Sequence, residues 1–501
     1  MKKIYTEKIN AVLPRILSFY NKNYIDQNLG NGDRFRWAWG LIDYTNSTYV
    51  CSMFGLSCLI KYNFFKKNED EIFETIDNMF CNLKYIIKKN YGFNESFPNE
   101  HSFCVTALVA EAALGTLENL NNYLTKVKIQ KYKEICTSII LKLNKLSENH
   151  AFISNHLATA ALAYCRYWKL TKNNYYKLKY EKLLNKILDN QSKEGWYKEY
   201  DGFDPGYESL SINYLSQIYK ITKNKKLYKS LKKSCNFIKL FFLSNNNFGG
   251  IYGSRCTEFL FPGGFEIVNK FKFNFPIQNV REGIMHNYHA NILSMDDMNI
   301  VPMFNSYCLS LVNISNNNIK KKKTKKLKKY FADAGIFIVK NKNYELIVNC
   351  KKGGCYHYLK KKRLIKNYGV LIKYNNKFAS TQKIDQKNFI KFKNNQIIIF
   401  SKLKKINFRN ITELEFILLR IFCYTIFKIK FFREVFKIFA ANKLINSNIA
   451  INATNCRKID LDDNQIHCKD EIKTNLKYKK INSNIFFNHI HMASQGYWYK
   501  S

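Results

Sequence analysis

The chain has 501 residues, with 81 Lys or Arg against 38 Asp or Glu, so its formal net charge is +43. Hydrophobic residues make up 46% of the chain and aromatic residues 16%, which is enough for a packed core and excludes wholesale disorder. Only 6 Pro and 20 Gly are present, which favours long regular elements. Because Lys, Asn, Ile, Tyr and Phe are abundant throughout, the charge alone does not indicate a nucleic-acid partner.

The N-terminal segment, residues 1–20, does not resemble a secretory signal, because Glu7, Lys8, Pro14 and Arg15 interrupt its apolar residues. The 14 Cys are scattered and include no Cys-x-x-Cys pair, so they are interpreted as small core residues in a reducing compartment. We therefore expect a cytoplasmic protein. No pattern calls for a metal or another cofactor.

Four apolar segments recur along the first half of the chain, and each predicts a helix. They begin near Tyr49, His101, Ser154 and Pro205, so the starts differ by 52, 53 and 51 residues. More polar segments with apolar residues at i, i+3, i+4 and i+7 lie between them, at 70–89, 126–146, 175–191 and 225–242. Each period is therefore predicted to be one helical hairpin.

The first helix of each hairpin is rich in small residues, for example Ala107 and Ala110 or Ala158 and Ala161, so it can be buried on nearly all sides. The second helix is amphipathic and half exposed. Inner helices surrounded by outer helices describe an α/α toroid. We predict an incomplete (α/α) toroid of helical hairpins over residues 1–319.

The loops that enter the inner helices combine aromatic rings with carboxylates, as sugar-binding surfaces do. The predicted substrate-binding residues in these loops are Glu95, Glu100, Trp196, Tyr200, Asp201 and Glu208. Arg255, His286 and His289, from two later loop-like segments, complete this set. His286 and His289 are three residues apart and could face the funnel together, but no third metal ligand is evident.

A second domain is predicted after the basic run Lys320–Lys329, which is interpreted as a linker within 320–330. Alternating apolar and polar residues then predict antiparallel hairpins, and we expect a β-sandwich over 331–501. A helical insertion is predicted near 411–445. Its most apolar part, 416–432, is either a packed amphipathic helix or a helix on a membrane surface. No run of 18 uncharged apolar residues predicts a membrane span.

This organisation resembles the heparinase II/III-like group of polysaccharide lyases, which join an incomplete α/α toroid to an antiparallel β domain. The resemblance covers most of the chain in architecture. Three short matches carry it at the residue level. They are Ser154–Leu157, which opens an inner helix with Asn-His, Asp201–Tyr214 on the next inner helix, and Gly353–His357 after the first predicted strands.

The resemblance implies β-elimination on a uronic-acid-containing polysaccharide. Asn155 would neutralise the uronic carboxylate, and a Tyr and a His would move the protons. The implied Tyr is Tyr207 or Tyr214, with Tyr207 preferred because it stands at the helix mouth. The implied His is His357 or His156. Asn155, Tyr207 and His357 are expected to converge in one pocket.

The segment 355–364 departs from the family, because it has one His where metal-binding members have two and a nearby Asp. Bound metal is therefore not expected. The absence of an export signal favours a role in making or modifying a surface polysaccharide, and the expected partner is an acidic polysaccharide or oligosaccharide.

Three alternatives remain open: a C5 epimerase, a non-catalytic glycan-binding protein, and a six-hairpin glycoside hydrolase. The hydrolase would draw an acid pair from Glu95, Glu100, Glu199, Asp201, Asp204 and Glu208. Nucleic-acid binding is not expected, because no helix-turn-helix, zinc-finger or RNA-recognition pattern is present.

Overall fold

The computed structural model describes residues 2–26, 28–32, 46–89, 92–149, 151–200, 202–271, 273, 275–297, 299–315, 326–406, 412–444 and 449–481. Within these residues the first part of the chain is helical and the second consists of antiparallel sheets. This confirms the predicted fold class.

The helices of the first part form two concentric rings. In chain order they are α1 (Lys2–Leu17), α2 (Met53–Lys61), α3 (Glu69–Lys89), α4 (Phe103–Leu120), α5 (Lys126–Leu143), α6 (Ser154–Thr171), α7 (Asn174–Asp189), α8 (Pro205–Thr222), α9 (Lys225–Ile238), α10 (Gly263–Lys270), α11 (Ile277–Met285) and α12 (Ile300–Asn313). The even-numbered helices are the inner ones. Each packs against the next, and α12 packs against α2, so the inner helices form a ring.

Local sequence explains where several of these helices begin. The side chains of Ser102, Thr125 and Asn224 each accept a hydrogen bond from a backbone N–H in the first turn of α4, α5 and α9 respectively. The inner helices are buried along their small residues, as predicted. Among the described helices, α4 alone is long and apolar enough to cross a membrane, and 78% of it is buried inside the toroid.

The last part of the toroid departs from the 52-residue period. The short helices α10 and α11 have 8 and 9 residues, and the repeat does not predict either of them. A buried ion pair joins these two short helices: Arg281 of α11 binds Glu266 of α10 at 2.7 Å. Tyr5 of α1 donates a hydrogen bond to the same carboxylate.

The β domain contains two antiparallel sheets. The first sheet has strands β1 (Leu327–Phe331), β2 (Ile336–Lys340), β3 (Tyr344–Asn349), β4 (Cys355–Lys360) and β5 (Arg363–Asn367), in that order. The second sheet contains β6 (Leu371–Tyr374), β7 (Lys377–Ser380), β8 (Phe389–Lys393), β9 (Gln396–Ile406), β10 (Ala450–Leu461), β11 (Ile466–Thr474) and β12 (Lys479–Lys480). Its order is β11-β10-β9-β7-β6-β12, and β8 pairs with β9.

The three central strands of the first sheet, β2 to β4, are buried on both faces. Successive side chains of a strand point to opposite sides, so each of these strands contributes to two cores. In β2, Ile336 and Ile338 join the core of the toroid, whereas Phe337 and Val339 join a core shared with the second sheet. β1 begins at Leu327, inside the segment predicted as a linker, and residues 320–325 of the basic run lie outside the described residues.

Buried polar contacts fix the β domain to the toroid. Lys352 is 3% exposed, and its amino group donates hydrogen bonds to the carbonyls of Ile251 and Gly253, each at 2.8 Å. Asn349 donates to the Tyr252 carbonyl at 2.6 Å. The toroid loop 249–257 is therefore supported by β-domain side chains.

Two further helices, α13 (Glu413–Tyr424) and α14 (Lys430–Leu444), lie between β9 and β10 at the predicted insertion. All fourteen Cys are free, and most are buried.

Candidate active site

The entry to α6 is held against the rim loop that precedes α8. Ser154 bonds the Lys198 carbonyl through both its backbone N–H, at 3.2 Å, and its hydroxyl, at 2.7 Å. The Tyr200 N–H donates to the Phe152 carbonyl at 3.2 Å. These contacts bring Asn155 beside Glu199, and the Asn155 amide donates to the Glu199 carboxyl at 2.8 Å.

The Glu199 side chain is buried and protonates easily. Burial raises its pKa to about 8, and the nearby Asp204 and Glu148 add to that shift. Arg255 and the hydrogen bond from Asn155 oppose it without cancelling it. At neutral pH this carboxyl is therefore mostly protonated and can donate a hydrogen bond.

The Arg255 guanidinium lies over the Tyr200 ring, 4.8 Å from the ring centroid. The backbone N–H of Arg255 donates a hydrogen bond to Asp204 Oδ2 at 2.8 Å. Within the described part of the chain, its side chain makes no hydrogen bond and no ion pair, and its Nε is buried. A buried cation held by a ring face and not by a carboxylate can receive an anionic ligand.

Tyr207 lies in the first turn of α8, which Asp204 caps by accepting from the backbone N–H groups of Gly206 and Tyr207. The ring of Tyr207 is half-buried and packs edge-on against Phe259, 5.7 Å between centroids. Burial raises the pKa of its hydroxyl well above the usual value, and Arg255 partly opposes that shift. The hydroxyl is therefore protonated at neutral pH, close to Arg255.

His156 is the neighbour of Asn155 on α6, and its Nδ1 lies 2.5 Å from a Glu148 carboxylate oxygen. The His156 side chain is 21% exposed and that of Glu148 is 4% exposed, so the imidazole faces the rim while its partner is covered. We call Asn155, Glu199, Tyr200, Tyr207 and Arg255 the Arg255 cluster. Glu148 also raises the pKa of Glu199 and Tyr200, so the His156–Glu148 pair lies within electrostatic reach of this cluster.

Glu95 and Glu100 lie in the next rim loop and have different roles. Glu100 accepts hydrogen bonds from the backbone N–H groups of Glu95 and Ser96, both at 2.8 Å, so it shapes the loop. Burial, together with the nearby Glu100 and Glu148 and against the opposing charge of Lys437, raises the pKa of Glu95 to about 7. Glu95 is thus a second carboxyl poised near neutral pH.

Trp196 and Glu208, which were predicted to bind substrate, are both buried and hydrogen-bonded within the protein. Trp196 is 8% exposed and donates to Glu194 at 3.0 Å. Glu208 is 2% exposed and accepts from the Tyr197 N–H at 2.8 Å and the Ser234 hydroxyl at 2.5 Å. Neither side chain reaches the Arg255 cluster through these contacts.

Tyr214 and His357 lie away from the rim. Tyr214 lines a cavity of about 20 Å³ between the inner helices, together with Glu111 and Asn213, which is room for about one water. His357 is 2% exposed in the interface between the domains, with its ring 5.1 Å from that of Tyr252. Its described contacts include neither Asn155 nor Tyr207. Those two residues are each linked to Glu199, which accepts a hydrogen bond from Asn155 and raises the pKa of Tyr207.

His286 and His289 do not face one direction. α11 ends at Met285, so their spacing is not helical. His286 is exposed, whereas His289 is 2% exposed and its Nδ1 lies 3.2 Å from the Ala290 carbonyl. Asp201 lies outside the described residues.

Glu148 is the one participant that the sequence reasoning missed, although a signal for it was present. Glu95, Glu148 and Glu199 are separated by 53 and 51 residues, the spacing of the helical hairpins themselves. Equivalent positions in successive repeats point to the same rim of a toroid. The repeat therefore places three carboxyls along one arc.

No family model matches the sequence, and no curated protein matches it in sequence. Solved structures match in fold. The chondroitin AC lyase of Streptomyces coelicolor A3 matches with a TM-score of 0.56 at 6% identity, over 93% of this chain and 66% of that one. A Paenibacillus xanthan lyase matches with a TM-score of 0.48 at 7% identity, over 80% of this chain and 45% of that one.

A family 76 glycoside hydrolase from Bacteroides thetaiotaomicron matches with a TM-score of 0.44 at 11% identity, over 62% of this chain and 77% of that one. The chain thus spans two thirds or less of the length of the two lyases. At these identities the similarity to the chondroitin AC lyase is one of fold: a helical toroid followed by antiparallel sheets.

Proposed function

We propose that the protein is a carbohydrate-active enzyme that cleaves a uronic-acid-containing polysaccharide by β-elimination, as heparinase II/III-like lyases do. The observation that carries the proposal is Arg255, a buried guanidinium with no carboxylate partner in the described part of the chain, beside the protonated Glu199. The carboxylate of a uronic acid would supply the missing anion. The fold shared with a chondroitin AC lyase, solved with chondroitin sulphate, supports the same substrate class.

The first requirement of the reaction is to neutralise that carboxylate, because its charge opposes removal of the proton at C5. Arg255 pairs with one carboxylate oxygen. The Asn155 amide and the Glu199 carboxyl, already 2.8 Å from each other, donate to the other. Donors arranged before binding stabilise the enolate-like charge that develops as the C5–H bond breaks.

The second requirement is a pair of proton-transfer groups. His156, oriented by Glu148, accepts the C5 proton. The electron pair of the C5–H bond forms the C4–C5 double bond, the C4–O4 bond breaks, and Tyr207 gives its proton to O4 of the leaving sugar. The hydroxyl of Tyr207 is protonated at neutral pH, and the nearby Arg255, which lowers its pKa against the effect of burial, would stabilise the tyrosinate that forms. Solvent returns the proton from His156 to the tyrosinate afterwards.

Two of the residues implied by the family resemblance are less suitable. Tyr214 is 6% exposed and lines a cavity that admits about one water, which is far too small for a sugar. His357 is buried against Gly250 and Tyr252. For that reason we assign the proton transfers to Tyr207 and His156. The same groups would serve a C5 epimerase, which returns a proton to C5 and leaves C4–O4 intact.

The direct test is to incubate the purified protein with a set of uronic-acid polymers and follow ultraviolet absorbance. Elimination leaves an unsaturated sugar that absorbs, so the signal should rise with the wild type and stay flat with His156→Ala. New reducing ends without absorbance would contradict elimination and indicate hydrolysis. Solvent deuterium entering C5 without chain cleavage would indicate epimerisation.

A glycoside hydrolase is the second candidate, and the specific observation that favours it is a second carboxyl with a raised pKa. Burial brings Glu95 to about 7 and Glu199 to about 8, and a general acid needs a pKa near the working pH. Here Glu95→Gln should abolish the appearance of reducing ends. In the lyase proposal the same variant should leave the ultraviolet signal within about threefold of the wild type.

We also propose that the protein works in the cytoplasm, on precursors of a surface polysaccharide. Fourteen free cysteines, most of them buried, suit a reducing compartment.

A further inference from the structure

The helical insertion α13–α14 exposes an unusual concentration of apolar side chains. The large apolar residues that are at least 38% exposed in it are Leu414, Phe416, Ile417, Leu418, Ile421, Phe422, Tyr424, Ile426, Ile429, Phe431, Phe432, Val435, Ile438 and Phe439. A soluble surface seldom carries so large a contiguous apolar patch unless something binds there. We call these fourteen residues the apolar face of the insertion.

The second sheet does not need this insertion. β9 and β10 are adjacent antiparallel strands, with Asp460 opposite Gln396 at one end and Ala450 opposite Lys404 at the other. Strands in this relation can be joined by a turn of a few residues, yet here residues 407–449 stand between them. The insertion is an addition to the sandwich, so its exposed face calls for a role of its own.

The other side of the insertion is fixed to the rim of the toroid. Asn99 donates to the Cys423 carbonyl at 3.0 Å, and Lys437 pairs with Glu100 at 3.9 Å. The Phe97 ring lies 6.0 Å from that of Phe427. Because these contacts hold one side of the insertion against the rim loop, the apolar face is directed to the exterior.

Charge decides between the occupants of this face. Exposed Lys428 and Lys430 stand at the junction of the two helices, among the apolar residues. A second copy of the chain would bring another +43 charges to the contact and would be repelled. An anionic lipid surface attracts lysines and accepts aromatic and aliphatic side chains below its headgroups.

We infer that the α13–α14 insertion docks the protein onto an anionic lipid membrane through its apolar face, with Lys428 and Lys430 at the headgroups. Docking would hold the rim loop that carries Glu95 close to the lipid surface, because Asn99 and Glu100 of that loop contact the insertion. A glycan attached to a lipid would then meet the cleft directly. The docking itself does not rest on the proposed catalytic activity.

The test is co-sedimentation of the full chain with vesicles of phosphatidylcholine alone or mixed with phosphatidylglycerol. We expect binding to the mixed vesicles and little binding to phosphatidylcholine. The quadruple variant Leu414→Ser, Ile417→Ser, Ile429→Ser and Phe431→Ser should lower the vesicle affinity roughly tenfold or more. These side chains are 54–69% exposed and none belongs to a buried core; among the described rings, Phe431 packs edge-on only against that of Phe432, which is exposed on the same face.

A second variant, Lys428→Glu with Lys430→Glu, should also lower the affinity roughly tenfold or more, with an effect that shrinks as salt rises. Matched controls alter similar exposed residues on outer helices, Val127→Ser with Leu178→Ser, and Lys225→Glu with Lys226→Glu, and should bind like the wild type. Equal binding by the quadruple variant and the wild type would overturn the inference. So would a dimer in light scattering that the quadruple variant abolishes, because it would assign the face to a second copy.

Discussion

The Arg255 guanidinium stacks on the Tyr200 ring at 4.8 Å, and Tyr200 adopts a left-handed backbone conformation with a φ of 53°. Non-glycine residues seldom adopt this conformation. It occurs here between Glu199 and the loop that leads to α8, so the bend that aims Glu199 at Asn155 also turns the Tyr200 ring under Arg255. One backbone feature thus sets both halves of the anion site.

Arg255→Gln should weaken binding of the acidic polymer, because a charge-assisted contact with the substrate carboxylate is lost. We expect KM to rise about 10- to 100-fold, corresponding to about 1.5–3 kcal/mol. Arg363→Gln, on the exposed strand β5, is the matched control and should leave KM unchanged. Steady-state kinetics and direct binding measurements check both. An unchanged KM in the Arg255 variant would remove this residue from the substrate site.

Tyr207→Phe and Tyr214→Phe should separate the two candidate proton donors. Loss of a general acid costs about 10²–10⁴-fold in turnover, so kcat of the Tyr207 variant should fall by that amount while polymer binding persists. The Tyr214 variant should keep its kcat, because Tyr214 is buried and lines the small internal cavity. The reverse pattern would assign the chemistry to the cavity and contradict the proposed site.

Glu199→Gln should change how stability depends on pH. Burial raises the pKa of Glu199 from 4.5 to about 8, so the folded state binds this proton more tightly than the unfolded state. Its contribution to stability is therefore complete below pH 4.5 and is lost as the pH rises to about 8. Between these pH values the wild type should lose on the order of 2–4 kcal/mol more than the variant.

Urea unfolding at a series of pH values measures the difference. Glu118→Gln is the control of opposite sign, because Arg166 and Lys169 lower the pKa of Glu118 to about 2 in spite of its partial burial. Removing Glu118 should lower the free energy of unfolding most above the unfolded-state pKa of this carboxyl and least in acid. A Glu199 variant whose stability follows the wild type across the whole range would show that this carboxyl titrates normally.

Glu208→Ala should lower stability and leave KM unchanged. The substitution deprives the Tyr197 N–H and the Ser234 hydroxyl of their acceptor inside the protein, at about 1–3 kcal/mol for each buried donor. Thermal unfolding checks the loss of stability, and steady-state kinetics on the same preparation check that KM is unchanged. A raised KM at unchanged stability would restore Glu208 to the substrate site.

The toroid was predictable because its repeat is dictated by burial. An inner helix must present small apolar residues on nearly every side, and a period of about 52 residues made that pattern visible from Tyr49 to Pro205. The closing helices α10 and α11 could not be predicted in this way. They are short, and the pair Arg281 and Glu266 becomes meaningful only when both side chains are brought together inside the ring.

The site was predictable in part for a related reason. Tyr207 and Tyr214 are seven residues apart and so lie on one side of α8, about 10 Å apart along its axis. Periodicity cannot decide which of two such residues meets the substrate. Their burial in the structure distinguishes them, because Tyr207 is half-buried near the rim and Tyr214 is buried between the inner helices. Glu208 follows Tyr207 by one residue and is rotated about 100° from it, toward Ser234 of α9.

The loop 249–257 belongs to the toroid by sequence but depends on both domains for its shape. Asp204 holds its Arg255 N–H from one side, and Lys352 holds the carbonyls of Ile251 and Gly253 from the other. A toroid separated from its sandwich would lose the contacts from Lys352, and the Arg255 guanidinium would no longer be held in place. The β domain is therefore needed to hold this part of the cleft in shape. If the toroid were joined to a different domain, that domain would have to supply new contacts to the nine-residue loop.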